Sequence, residues 1–283
     1  MAAGESPGEY VTARAFALLF GLVVFPGTVL SGPGDSDCPT IVSQSPFVTH
    51  TLDYLGLDGC IVGSSSYDPA HPDTGGVYDP DAEAIAALAP ELAITSEWMD
   101  QKEWEAVLPE DTRALVLGGF GGMDAVVRNV ERVSRAVGRE DGPARAERFD
   151  QKWRAAAEAV PASGERVLLL SSCSGQGYTY GPGTWLFDAF VAAGFDVVAD
   201  QSGVTHLEFS DQRDDLADLI NHSRAQVVFA FNADAAEECR AITAERPFRV
   251  VSLPTEPFQH PAPVIVHGLE RLTKEQDRWS VGP

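Results

Sequence analysis

Two hydrophobic periods alternate along most of this sequence, and nothing else in it constrains the fold as much. Short β-rich apolar runs stand near Thr40–Ser43, Cys60–Ser64, Leu92–Thr95 and Ala114–Leu117. Between them, Phe47–Leu55 and Asp81–Leu88 carry apolar residues every three or four positions. The short runs suit strands buried on both faces, and the three- and four-residue spacing lays one face of a helix against them. Parallel sheets covered by helices satisfy such alternation; a helical bundle or a β-sandwich does not. Asp79, Pro80 and Asp81 supply a start signal for the second helix, and Pro90 stops it.

From Met123 to about Val160 the chain is dense in Ala, Arg and Glu and is broken only at Gly138 and at Gly142-Pro143, which predicts two helices. The second, Pro143 to Val160, aligns Phe149, Trp153, Ala156 and Val160 on one side. Strand patterns then resume near Arg166–Ser171, Phe195–Ala199, Gln226–Phe231 and Phe248–Ser252. The expected fold class is α/β, with two lobes, each a central, mostly parallel sheet flanked by helices, joined by one long backbone helix. The expected divisions are a first lobe at 38–140, the connecting helix at 141–160, a second lobe at 161–274 and a tail at 275–283. A chain of 283 residues divides naturally into two cores of roughly 100 to 150 residues each. A single helical link makes the pair stiff, because a helix resists bending where a loop hinge yields.

Residues 15–25 form an unbroken apolar stretch, too short to span a bilayer comfortably, followed by Pro26-Gly27. Val29, Leu30 and Ser31 offer a cleavage site, so residues 1–34 read as a signal peptide and flexible linker that export the chain to the periplasm. Glu5 and Glu9 precede the first basic residue, Arg14, where export signals normally begin positively charged; the reading therefore starts translation at Val11. No lipoprotein motif precedes Cys38. Four cysteines in an exported chain favour disulfides, with Cys38 paired to Cys60 and Cys173 to Cys239, against the alternative of four buried thiols. The formal net charge of -22 opposes nucleic acids and anionic lipid surfaces and reads as solubility.

A family likeness rests on particular segments. Ile41–Leu57 (IVSQSPFVTHTLDYLGL), Ile61–Tyr67 (IVGSSSY) and Gly75–Leu92 (GGVYDPDAEAIAALAPEL) resemble the first lobe of periplasmic cobalamin- and iron-siderophore-binding proteins, the substrate-binding components of ABC importers. Tyr178–Gly194 (YTYGPGTWLFDAFVAAG) and Pro257 to Leu272 match the second lobe more loosely. The resemblance implies a monomeric carrier that captures a siderophore, cobalamin-like or heme ligand in an inter-lobe cleft and delivers it to a membrane permease. No cofactor is expected, the cysteines lack zinc-type spacing, so no metal site is expected, and no catalysis is expected of such a carrier.

Parallel α/β lobes bind ligands at the carboxyl ends of their strands, where loops vary while the sheet stays fixed. Candidates there are Ser45, Pro46, Tyr67, Tyr78 and Trp98 from the first lobe and Tyr178, Tyr180 and Phe258 from the second. The resemblance places Tyr67, Tyr178 and Phe258 among cleft-lining aromatics; each of the six aromatics also reads as an ordinary core or surface residue. Where cobalamin binders often carry Trp before the signature helix, this chain has Val77 beside Tyr78. Glu83 matches the family's permease-docking glutamate, and it is also an acid favoured at a helix N-terminus. The corresponding second-lobe position is Ala217, with Asp214 and Asp218 nearby as substitutes.

An enzyme is the rival class. The six histidines show no metal-ligand pairing on one helical turn. Ser172-Cys173-Ser174-Gly175 lacks a base partner in sequence, and Gly118–Gly122 has neither a P-loop Lys nor dinucleotide spacing and reads as a mobile turn. A heme carrier using Tyr67, Tyr78 or Tyr180 as an axial ligand stands as the alternative of the same fold.

Overall fold

The computed structural model describes residues 38–173, 177–207, 212–232 and 244–280, without the side chains of 212–215. The expected leader, Cys239, Ser174, Gly175 and the Asp214 side chain lie outside the described residues. In the first lobe β1 (Ile41–Ser43), β2 (Ile61–Ser64), β3 (Leu92–Ser96) and β4 (Arg113–Leu117) form an all-parallel sheet in the order β2-β1-β3-β4. Helices α1 (Pro46–Tyr54), α2 (Ala82–Leu88) and α3 (Gln101–Ala106) provide its crossovers, and α4 (Met123–Ala136) follows β4. Pro46 opens α1, and Asp81 caps α2 by accepting the amides of Glu83 and Ala84, both at 3.0 Å. The sequence reading did not anticipate α3, a six-residue helix that buries Trp104 completely.

The connecting helix is α5 (Gly142–Glu158), about 25 Å long at 1.5 Å per residue. It buries Ala146, Phe149, Trp153 and Ala157, a three- and four-residue spacing that forms one stripe. The second lobe contains β5 (Arg166–Leu170), β6 (Gly177–Tyr180), α6 (Trp185–Ala192), β7 (Asp196–Val197), β8 (Val204–Leu207), α7 (Gln212–Ser223), β9 (Val227–Ala230) and β10 (Arg249–Ser252). Helices α8 (Glu256–Gln259), α9 (Ile265–Lys274) and α10 (Gln276–Trp279) follow. Here β10, β9, β5 and β7 pair in parallel, whereas β6 and β8 are antiparallel and extend the sheet in the order β10-β9-β5-β6-β8. The expected fold class, two α/β lobes on a backbone helix, is the fold observed, with this antiparallel pair as the departure. No described helix is long and apolar enough to cross a membrane.

Two expectations need correcting. The lobes do not have separate inner cores: one buried cluster runs from Ile41, Leu52 and Ile94 through Val130, Phe149 and Trp153 to Phe190, Phe229 and Trp279. α4 and α5 pack on each other and contribute to this shared cluster, while the remaining buried strand residues form two smaller clusters, one in each lobe. The supposed tail also contributes to this core, because Trp279 of α10 is fully buried 5.0 Å from the ring of Phe195. Cys38 and Cys60 are disulfide-bonded with Cα atoms 6.2 Å apart, closing the start of the first lobe; Cys173 is also disulfide-bonded.

Candidate functional site

The strand tips of the first lobe carry a ladder of stacked rings. Tyr78 lies nearly parallel to Trp98, with centroids 5.5 Å apart and planes at 13°, and Trp98 lies on Phe120 at 4.4 Å and 9°. Phe120 then meets Phe47 of α1 at 6.2 Å and Trp185 of α6 at 5.8 Å, both edge to face. The ladder therefore starts at solvent and ends on a contact between the lobes. Its outer rungs are open, with Tyr78 at 65% and Trp98 at 48% exposure, while Trp185 is buried. Tyr67 stands nearby in sequence on the same long loop and is 68% exposed. Exposed large rings forfeit burial energy, and their grouping on two neighbouring loops makes this a candidate binding surface.

Polar tethers hold the backbone under these rings. Gln44, fully buried at the end of β1, donates from Nε2 to the carbonyls of Thr74, Gly75 and Gly76 at 3.0 to 3.1 Å and accepts from the Thr74 hydroxyl at 2.8 Å. One amide thus pins the loop that bears Tyr67 and Tyr78. Gly75 has a φ of +86°, and a Cβ there would lie 2.5 Å from the Asp81 nitrogen, so the turn into α2 requires glycine. The turn at Gly118–Gly122, expected to be mobile, is tied at several points. Glu97 Oε1 accepts the amides of Gly119 and Phe120, and Asn129 Nδ2 donates to the Gly118 carbonyl. Across the lobe boundary, Asp188 of α6 accepts the Met123 amide at 2.9 Å, which caps a helix whose own N-cap, Gly122, has no side chain.

Ser45 precedes α1 and Pro46 opens it; the serine is buried and the proline half-buried, so neither presents an open donor. Tyr178 is half-buried on β6 with its ring 4.5 Å from that of His206, directly opposite on β8. Tyr180 and Phe258 depart from expectation and lie in the core. Tyr180, two residues along the same face as Tyr178, packs on Trp185 and Phe231, and desolvation pushes its phenol far above the usual tyrosine range. Phe258 is fully buried, stacked on Phe231 at 5.2 Å. Phe120, absent from the expected set, is the ring that joins the ladder to the second lobe. Its signal in the sequence was a lone aromatic inside a glycine run directly after a strand.

The lobes also touch at His50 of α1 and His260, which follows α8, with ring centroids 4.9 Å apart. Burial, then the neighbouring His50, lowers the His260 pKa to about 4, while Asp68 opposes the shift. A Cβ on Gly119 would lie 3.1 Å from both Phe47 and Pro261, so the inner part of the expected cleft is closed by packing and the exposed rings form its rim. Beside the histidine pair a hollow of about 270 Å³ is lined by His50, Asp53, Tyr54, Lys152, Glu256 and His267, away from the ladder. Glu83 is exposed on the first turn of α2; in the second lobe Asp218 is exposed on α7.

No family model matches the chain, and no curated protein matches it. Solved structures do. The periplasmic vitamin B12-binding protein of Vibrio cholerae superposes with a TM-score of 0.65 at 18% identity, over 84% of this chain and 96% of its own. An apo periplasmic heme-binding protein of Roseiflexus sp. RS-1 matches with a TM-score of 0.62 at 19% identity, covering 83% and 96%. A protein of an ABC-type Fe3+-hydroxamate transport system from Saccharomonospora viridis matches at 0.58 and 22% identity, covering 83% and 92%. At such identities the likeness establishes the fold, which is that of periplasmic substrate-binding proteins of ABC transporters.

Proposed function

We propose that this chain is the ligand-binding component of an ABC importer, exported through its N-terminal 1–34 segment to work outside the cytoplasmic membrane. Its ligand is a flat or ring-rich metal chelate: a ferric siderophore, a corrinoid or heme. The observation that carries this reading is the open aromatic ladder Tyr78–Trp98–Phe120 at the strand tips of a fold shared with carriers of such ligands. Aromatic faces suit conjugated or catecholate ligands because stacking adds to the gain from burying area. Tyr67 and Tyr178 complete the proposed wall, with Ser45 and Pro46 beneath it. The carrier releases its ligand unchanged to a permease that Glu83 meets on the first lobe and Asp218 or Asp214 on the second. Heme is the specific alternative to a siderophore or corrinoid, favoured by the two exposed tyrosines, Tyr67 and Tyr78, either of which would serve as an axial ligand.

Titration of the purified chain with hemin, a ferric hydroxamate and cyanocobalamin, each followed by its own visible spectrum, tests the reading. One of the three is expected to bind with 1:1 stoichiometry and quench Trp98. Failure of all three at micromolar concentrations would sink it. Charge reversal by Glu83→Lys is expected to lower uptake in cells with ligand affinity unchanged; unaltered uptake would remove Glu83 from the docking surface.

A further inference from the structure

The inner rung of the ladder is carried by a turn that does not hold itself. Phe120 is flanked by Gly118, Gly119, Gly121 and Gly122, and glycine backbone has wide conformational freedom. Glu97 supplies the missing constraint. Its Oε1 accepts the Gly119 amide at 2.8 Å and the Phe120 amide at 2.9 Å, two charge-assisted bonds to consecutive N–H groups that fix the direction of the Phe120 backbone. Its own amide donates to the Leu117 carbonyl at 2.9 Å, joining the ends of β3 and β4. Glu97 also immediately precedes Trp98. One residue therefore carries the middle ring on its C-terminal side and grips the backbone of the inner ring with its side chain, and those two rings lie 4.4 Å apart at 9°. Its side chain is exposed, so no burial demand accounts for an acid at this position.

We propose that Glu97 is a positioning residue for the ligand platform, one that assembles the Trp98–Phe120 stack before ligand arrives. The consequence for affinity rests on the carrier reading; the positioning does not. A platform ordered in advance spares the ligand the entropy of freezing a glycine turn on binding.

The full chain carrying Glu97→Ala or Glu97→Gln tests this. Of its five tryptophans, Trp98 is 48% exposed and the other four are 2% exposed or less, so quenching by acrylamide, a neutral probe, reports on Trp98. In Glu97→Ala the quenching constant is expected to rise toward that of free indole as Phe120 leaves its face, with far-UV circular dichroism unchanged. Affinity for whichever of hemin, ferric hydroxamate or cyanocobalamin the native chain binds is expected to fall about tenfold, the equivalent of roughly 1.4 kcal/mol. In Glu97→Gln the amide oxygen still accepts both N–H groups, and quenching and affinity are expected to return most of the way to native. Native quenching in Glu97→Ala, or a Glu97→Gln variant as defective as Glu97→Ala, would overturn the proposal. If the native chain binds none of the three probes, the carrier reading fails, and the quenching comparison still decides the role of Glu97.

Discussion

Both lobes place aromatic residues just past the ends of their strands, and they use them in opposite ways. In the first lobe Tyr67, Tyr78 and Trp98 stand 68%, 65% and 48% exposed, while in the second Phe231 and Phe258 are fully buried. The difference lies in what holds the backbone. Under the first set, Gln44 and Glu97 pin the loops through carbonyls and amides, so the rings are not needed to hold them. In the second lobe Gln259 and Thr255 also reach the Phe231 carbonyl, but Phe258 stacks on Phe231, both rings pack against Phe190, and together they hold the segment through α8 against the sheet. The first-lobe rings are thus free of the structural duty that Phe231 and Phe258 carry in the second.

Replacement of Phe258 is the strongest way to break this contrast. Phe258→Ala removes a fully buried ring that stacks on Phe231 and lies so close to Gly268 that a Cβ there would be 2.8 Å away. A stability loss of about 3–5 kcal/mol is expected by denaturant unfolding, with the ligand Kd of the folded fraction unchanged. Weakened binding at native stability would return Phe258 to the site. Gln44→Ala removes one hydrogen bond each from the Thr74, Gly75 and Gly76 carbonyls and from the Thr74 hydroxyl; the Thr74 and Gly75 groups keep partners in Ser64, Ser66 and Asp81, and a loss of about 2–3 kcal/mol is expected. Unlike Phe258→Ala, it is expected to raise hydrogen exchange specifically across residues 65–80 and to weaken ligand binding; uniform exchange would show that the amide supports the sheet and not the loop.

Acid provides a third perturbation, acting where the lobes touch. In the fold the pKa of His260 lies at about 4, against 6.5 for a free histidine, because burial and His50 disfavour the charged ring. The unfolded chain therefore takes up a proton between those values that the folded chain refuses. The contribution of His260 to stability is intact above pH 6.5, is lost as pH falls toward 4 and is level below that. At pH 4.5 the loss attributable to this residue is roughly 2 kcal/mol. His260→Gln has no proton to take up, so its unfolding free energy is expected to fall less than that of the native chain between pH 7 and 4.5. Parallel pH profiles would show that the His50–His260 contact has no part in acid sensitivity.

The sequence revealed its regular elements more readily than its site. Eight strands and the long connecting helix were legible because they are carried by buried apolar periodicity, as in the Phe149–Trp153 stripe, which survives whatever surrounds it. The antiparallel strands β6 and β8 were not, since Gly177–Tyr180 and Val204–Leu207 are short, half-exposed and rich in polar residues. Site residues depended on which neighbours pack over each position along a strand, which composition does not encode. Tyr178 and Tyr180 read alike two residues apart, yet the first meets His206 and the second enters the core beside Trp185. Phe120 was hidden because its role comes from Glu97, 23 positions away, and such a tether leaves no local pattern.

Trp98→Ala is the reciprocal of Phe258→Ala and has the smallest expected effect on the fold. Its ring touches Tyr78 and Phe120 but is 48% exposed, and its loop is held by neighbours and not by the indole. Stability is expected to change by less than about 1 kcal/mol, since the substitution opens no enclosed cavity. Affinity is expected to fall by about 1–2 kcal/mol, from lost stacking and area, as measured by titration with the probe that the native chain binds. The two substitutions together test whether Trp98 serves the proposed ligand while Phe258 serves the core. If Trp98→Ala destabilised the chain as much as Phe258→Ala and left affinity intact, the ladder would be an outward extension of the core, and polar tethering of a loop would no longer mark the rings left free for ligand.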